Sequence, residues 1–319
     1  MKAAVVHDFA RPPRFDDFAA PEPKEGEVIV HVKAAALSQL VKAQASGKHY
    51  SSPRQPPFVP GSDGVGLLDS GQRVYFAFPS PPFGSLAQQT AVQRDSYIAL
   101  PDDVDDLTAA AIANPGMSSW AALKYRAQFR AGESVLINGA TGVSGGLAVQ
   151  IARLMGAGHV VVTGRDPQAL DALRQSGADH AISVADTGEG LTDRFREALH
   201  DYQIGVILDY VWGPSAERLI GAFAGHNAAP EDQQVRYVQI GSMGGADITL
   251  PGAILRSSGL KLLGSGIGSV SDAHLLEAIA GVMTAASRGQ VSIETEARPL
   301  QEVENAWTAR GDARMVITI

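Results

Sequence analysis

Val135-Leu-Ile-Asn-Gly-Ala-Thr-Gly-Val-Ser-Gly-Gly-Leu-Ala-Val-Gln-Ile-Ala152 is the stretch that decides how this chain folds. The apolar run from Ser134 to Ile137 reads as a buried strand. A glycine-rich turn ends it, and small and apolar residues at helical spacing follow. That order suits a dinucleotide pyrophosphate, because a helix start offers unpaired N–H groups and a partial positive charge of roughly half an electron. Ala140-x-Gly142-x-x-Gly145 has the spacing of the G-x-G-x-x-G fingerprint, with alanine in first place. Gly142 would let phosphates approach the backbone, and Gly145 would let the helix pack on the strand. Ala140, Thr141, Gly142, Val143, Ser144 and Gly145 are therefore cofactor-binding candidates.

The context supports the fingerprint. A second strand should end roughly 20 residues on, at a residue that reads the ribose. His159-Val-Val-Val-Thr163 is β-branched and continuous, and Gly164-Arg165-Asp166 follows it. Asp166-Pro167 then opens a helix, with Asp as N-cap and Pro in the first turn, that closes near Gly177. The strand end carries Gly164 rather than an acid, and Arg165 comes next, with a planar fork suited to phosphate. Asp166 is turned to backbone N–H groups by its capping role. Thr163, Gly164 and Arg165 thus point to NADPH; the alternative is that Arg165 is a solvated loop charge.

Composition narrows the class. The 319 residues suffice for two domains, and 45% hydrophobic content with 34 glycines suits a soluble α/β enzyme. A net charge of −8 without a basic cluster argues against nucleic acid as a main partner. Met1-Lys-Ala-Ala-Val-Val runs into His7 and Asp8, which does not read as a signal peptide. No apolar run approaches the 18 or so residues of a membrane span. Cysteine is absent, so disulfides, thiol catalysis and thiolate metal sites are excluded, and a cytoplasmic location is expected.

Residues 1–113 show short β-type runs, such as Glu27 to Val32 and Arg73 to Phe78, between Pro- and Gly-rich turns. Residues 114–266 alternate instead. Strand-like runs at Val135, His159, Ile204, Arg236 and Leu260 are separated by helical stretches, which predicts a doubly wound parallel sheet. In 267–319, Ser271 to Met283 reads as a capped amphipathic helix whose apolar set is Leu275, Leu276, Ile279, Val282 and Met283. Met315-Val-Ile-Thr-Ile319 is a strand expected to return to the first domain.

This order of parts resembles the medium-chain dehydrogenase/reductase superfamily over essentially the whole chain, nearest its zinc-independent quinone oxidoreductases. The matching pieces are Met1-Lys-Ala-Ala-Val-Val, Pro21-x-Pro-x-x-Gly-Glu-Val-Ile-Val, Val59-Pro-Gly-Ser-Asp-Gly-Val-Gly66, the turn at Gly139 to Gly145, Gly177-Ala-Asp-His, Asp209-Tyr-Val-Trp-Gly213 and Gln239-Ile-Gly-Ser242. The resemblance implies an α/β chain with a GroES-like β-rich substrate domain and a Rossmann domain. It implies that Gly241, Ser242 and Met243 border the ribose and nicotinamide, with Val211 on the path between them and the adenosine. Trp212 either lines the substrate side or is a core aromatic. Pairing through the last strand, Leu260 to Gly264, would make a homodimer.

Two departures bear on chemistry. Zinc members bind metal through a Cys, the His of a Gly-His-Glu turn and a further ligand. Here that turn is Gly61-Ser62-Asp63, and Asp63 alone cannot build a site of three protein ligands plus water. The eight histidines (7, 31, 49, 159, 180, 200, 226 and 274) lack ligand spacing and read as surface or packing residues. No metal is expected. Quinone reductases of this type carry Asn, Asp and Arg in the loop after the third strand, where this chain has Ser38, Val41 and Ala45 in Leu37 to Gly47.

The expected activity is hydride transfer from NADPH to a quinone or other conjugated carbonyl. The alternatives are an enoyl or ketone reductase of the same superfamily, and a non-catalytic NADPH-binding sensor or structural protein. A donor to the acceptor oxygen would come from Ser38, Gln39, Tyr50 or Asn114; Asn114 lies in Asn114-Pro-Gly-Met-Ser-Ser-Trp120 at the domain junction.

Overall fold

A computed structural model describes residues 1–186, 188–224, 234–309, 311 and 313–319. The chain divides into two compact units, Met1–Asn114 with Ile279–Ile319, and Pro115–Ala278.

The first unit contains β1 (Lys2–Val5), β2 (Arg14–Asp17), β3 (Glu27–Ala36), α1 (Gln39–Ala45), β4 (Asp63–Leu68), β5 (Arg73–Ala77), β6 (Gln89–Gln93) and β7 (Tyr97–Ala99). Its organiser is the ten-residue β3. The first half pairs with β6, from Glu27↔Gln93 to His31↔Gln89, and the middle pairs with β4 across an irregularity between Val32 and Ala34. Side chains from these strands close a core around Val30, Val32, Val74, Phe76 and Val92.

Residues 37–47, read as a loop from sequence, instead hold the helix α1. Ser38 is its N-cap, with Oγ accepting from Val41 N at 3.0 Å, and Val41 and Ala45 are the buried residues of the helix.

The second unit begins within α2 (Asp106–Ala121), at Pro115. Its six parallel strands are β8 (Ser134–Asn138), β9 (Val160–Gly164), β10 (His180–Ser183), β11 (Ile204–Asp209), β12 (Val235–Gln239) and β13 (Leu260–Gly264). Between them run α3 (Val143–Leu154), α4 (Pro167–Gln175), α5 (Glu189–Asp201), α6 (Gly213–Gly221) and α7 (Gly252–Ser257). The spatial order β10-β9-β8-β11-β12-β13 makes a doubly wound Rossmann-like sheet whose winding reverses between β8 and β11. Val135, Leu136, Ile137, Val160, Val161 and Val162 are all fully buried, as a sheet covered on both faces requires. The pattern of apolar runs does not reveal β10, an edge strand of four residues in which only Ala181 and Ile182 are buried.

The chain then continues through α8 (Asp272–Ser287), β14 (Thr295–Pro299), α9 (Val303–Thr308) and β15 (Arg314–Thr318). The start of α8 is tied to the second unit: Lys124 bonds Glu277 at 2.6 Å, and the Tyr125 and His274 rings stack at 4.2 Å. The boundary therefore falls after Ala278 rather than after residue 266. Leu275, Leu276, Ile279, Val282 and Met283 are all buried. β15 pairs antiparallel with β3 (Val316↔Ala36) and parallel with β14, completing the sheet of the first unit.

Candidate functional site

The glycine turn is built by steric necessity. β8 ends at Asn138, and Gly139 takes φ +88°, the left-handed region that favours glycine. The tight turn thus falls one residue before the fingerprint's first place, which is why Ala140 can be alanine there; its side chain is wholly buried. Gly142 is the N-cap of α3, and a Cβ on it would have no neighbour closer than 3.9 Å. A Cβ on Gly145 would stand 2.6 Å from Ala140 Cα, so α3 starts hard against the turn. Thr141 and Gly142 are exposed, Val143 and Ser144 half-buried. The N–H groups of Thr141, Val143 and Ser144 have no intramolecular acceptor among the described residues. This is an open cradle of donors at a helix start, the arrangement that binds phosphate.

The neighbouring candidates lie at the same, carboxyl-terminal, ends of β9, β11 and β12. Gly164 is buried because Thr141 Cγ2 occupies the place of its missing side chain. Arg165 is exposed and forms no ion pair among the described residues, while Asp166 Oδ1 accepts from Gln168 N at 2.8 Å as the cap of α4. The carboxylate beside Arg165 is thus engaged with backbone. Val211 is half-buried and lies over Gly139. Gly241 abuts the Tyr210 carbonyl, where a Cβ would stand 2.7 Å from the oxygen, and Ser242 and Met243 are exposed, Met243 at 73%.

Thr163 is a correction. It is fully buried, and its hydroxyl accepts from Gly139 N at 2.9 Å and donates to Asn138 Oδ1 at 2.7 Å. It shapes the turn from behind instead of meeting a ligand. Trp212, half-buried, packs on the unit's hydrophobic core and meets Tyr237 edge-on at 6.3 Å, which favours its reading as a core aromatic.

In the first unit, Ser38 is buried and serves as a cap, which corrects its reading as a donor to substrate. Gln39 is exposed on the first turn of α1. Tyr50 is 74% exposed, its ring 4.1 Å from that of His49. Asn114 is half-buried on α2.

The structure also places residues that sequence reasoning left without a role. Asp63 is buried, with Tyr75 donating to Oδ2 at 2.5 Å and Ser62 donating to Oδ1 at 2.7 Å. Burial pushes its carboxyl up, while these two donors and the nearby Arg314 oppose the shift. Burial likewise pushes the Tyr75 phenol well up. No His or Cys joins Asp63, and no cluster of three metal-ligating side chains occurs among the described residues. The donors present do not fit a zinc ion. Histidines 7, 31, 159 and 200 face carboxylates, His49 faces Ser51, and His180 and His274 stack on tyrosines; His226 lies outside the described residues.

Comparison with known proteins accords with this architecture. A family model described as zinc-binding dehydrogenase matches residues 144–280, from α3 to α8. A probable NADPH-dependent quinone reductase of Emericella nidulans is 27% identical over 96% of each chain. An NADPH-dependent alkenal/one oxidoreductase of Arabidopsis thaliana, chloroplastic, is 33% identical over 61% of this chain and 55% of its own. The quinone oxidoreductase of Thermus thermophilus, solved also with NADPH, superposes over the full length of both chains with a TM-score of 0.81 at 28% identity. These likenesses support the medium-chain dehydrogenase/reductase superfamily, in its quinone oxidoreductase-like branch. The chain is an oxidoreductase. The matched segment 144–280 begins in the first turn of α3 and contains Arg165, Val211 and Gly241 to Met243.

Proposed function

We propose that this oxidoreductase is a zinc-independent, NADPH-dependent reductase of quinones or other conjugated carbonyl compounds. The observation that carries the proposal is the open donor cradle at Thr141 to Ser144, next to an Arg165 without an ion pair whose neighbouring acid is turned away. The N–H groups of the cradle would hold the pyrophosphate, and the Arg165 guanidinium would hold the 2′-phosphate. Gly241, Ser242, Met243 and Val211 would border the ribose and nicotinamide. When bound, NADPH supplies the hydride. The protein orients the reactants, excludes water and donates a hydrogen bond or proton to the acceptor oxygen. With Ser38 committed to its helix, Tyr50, Gln39 and Asn114 are the donors we favour.

The names of the Emericella and Thermus relatives support a quinone acceptor, and the Arabidopsis relative supports an enal or enone. The unit Met1–Asn114 with Ile279–Ile319 would form the GroES-like substrate domain, and Pro115–Ala278 the cofactor domain. A homodimer through β13 is supported by its edge position and by the exposed Leu255 and Ile267 nearby. No described helix is long and apolar enough to cross a membrane, and the proposal places the protein in the cytoplasm without nucleic-acid partners.

The test is oxidation of NADPH, followed at its nicotinamide absorbance, with a panel of quinones and enones. Turnover with NADPH in preference to NADH is the expected result. Tight binding without oxidation across the panel would favour the non-catalytic alternative.

A further inference from the structure

Asp209 closes β11 and is wholly buried. Its carboxylate meets only donors. Asn138 Nδ2 and the Val211 N–H reach Oδ1 at 2.8 Å each, the Trp212 N–H lies 3.1 and 3.2 Å from the two oxygens, and the Tyr237 hydroxyl reaches Oδ2 at 2.6 Å. Three of the four partners are N–H groups that can only donate, which suits the ionised acid, and the Tyr237 hydroxyl donates to it as well. Desolvation pushes the carboxyl up and the donors pull it back.

From this anion a line of bonds leads to the phosphate turn. Asn138, itself fully buried, accepts on Oδ1 from Thr163 Oγ1 at 2.7 Å and Ser215 Oγ at 3.0 Å. Thr163 Oγ1 in turn accepts from the N–H of Gly139, where the backbone turns left-handed. In the other direction the same carboxylate holds Trp212, a non-glycine residue at φ +58°, ψ −159°, at the margin of a region used almost only by glycine. Val211, between them, packs its Cγ2 where a side chain on Gly139 would be.

We infer that Asp209 is the positioning residue of the cofactor-phosphate turn: one buried anion holds the glycine turn through Asn138 and Thr163, and the facing 211–213 segment through its backbone N–H groups. The inference rests on the proposed NADPH binding. A group that served stability alone would not distinguish these two arms, and the arms can be separated. Glycine at position 212 adopts the left-handed backbone without being held, so Trp212→Gly releases one arm and leaves the other intact.

The experiment is a double-mutant cycle of Asp209→Asn and Trp212→Gly, reading NADPH Kd by calorimetry and melting temperature separately. Asp209→Asn is expected to raise Kd by about tenfold or more, the scale of one buried charge-assisted hydrogen bond. Its cost in melting temperature should shrink in the Trp212→Gly background, while its cost in Kd should stay the same. A Kd cost that shrinks in parallel, or an Asp209→Asn protein that binds as well as wild type, overturns the inference. Should Asp209→Asn not fold, Thr163→Val removes the bonds to Gly139 N and Asn138 Oδ1 and leaves the Asp209 carboxylate in place. It should raise Kd, and Thr163→Ser should restore it; equal Kd values for Val and Ser overturn the inference too. If the wild-type protein itself binds neither NADPH nor NADH, the failure lies with the proposed function instead.

Discussion

Gly145 rests on Ala140, with the position of its missing Cβ only 2.6 Å from the alanine Cα. Gly142, three residues earlier, has open space on that side. The two glycines of one fingerprint are thus required for different reasons. Gly145→Ala should push α3 away from the turn, costing about 1–3 kcal/mol of stability and most of the NADPH affinity. Gly142→Ala should fold like wild type and still bind NADPH more weakly, because the methyl occupies the side on which phosphate would lie. Thermal unfolding and calorimetric NADPH titration of both variants check this. A Gly142→Ala protein with unchanged affinity would count against phosphate binding there.

Arg165 is exposed and forms no ion pair among the described residues, so Arg165→Ala should leave the melting temperature within error. Its effect should fall on cofactor choice. The ratio of kcat/KM for NADPH over NADH should drop on the order of tenfold, the scale of one charge-assisted bond to phosphate. An unchanged ratio would show that Arg165 is the solvated loop charge of the alternative reading.

Ser38→Ala removes the cap of α1 and should cost about 1 kcal/mol. Turnover at saturating substrate should stay within about twofold, since stabilities of ordinary size leave the folded fraction near one after such a loss. A loss of kcat far beyond that, in a protein that remains folded, would return Ser38 to the list of proton donors.

Alkaline pH should unfold the protein through its buried phenols. Burial raises Tyr75 and Tyr237 well above 10, helped by the carboxylates they serve, and it raises Tyr210 to about 12. A folded value above the unfolded one means that the contribution is complete below pH 10 and is lost as pH rises toward the folded value. Stability should therefore fall above pH 10 by up to about 1.4 kcal/mol per pH unit per phenol. Urea midpoints between about pH 9 and 12, the span around the ordinary phenol value, measure the slope, and Tyr237→Phe should flatten it. Phenolate absorbance from these three residues appearing near pH 10 without unfolding would contradict the burial argument.

The sequence was most legible where backbone sterics restrict residue choice. Gly142, Gly145 and the Asp166-Pro167 cap reveal themselves because few residues satisfy those geometries. α1 was less legible: a seven-residue helix carries two buried positions, too few for a periodic signal, although the Ser38 cap was in view. β10 escapes notice for a similar reason, with His180 and Ser183 masking a short edge strand. The Asp209 network was invisible because its side-chain partners lie far along the chain: Asn138 is 71 residues away and Tyr237 is 28. Only the strand order brings those residues together. For the same reason nothing marked Arg314, whose Nε is buried near Asp63 without an acceptor among the described residues.

The pairing of β15 with β3 sets the order in which a nascent chain can mature. The parallel-sheet unit lies within one continuous stretch and can form as soon as residue 278 is clear of the ribosome. The other unit must wait, because Ala36 meets its partner only when Val316 has been synthesised. Through that interval the Ala34–Ala36 end of β3 lacks its partner strand, and the core beside it lacks Ile317. A product stalled before Val316 would thus carry a formed parallel-sheet unit together with an open, aggregation-prone strand end in the other unit.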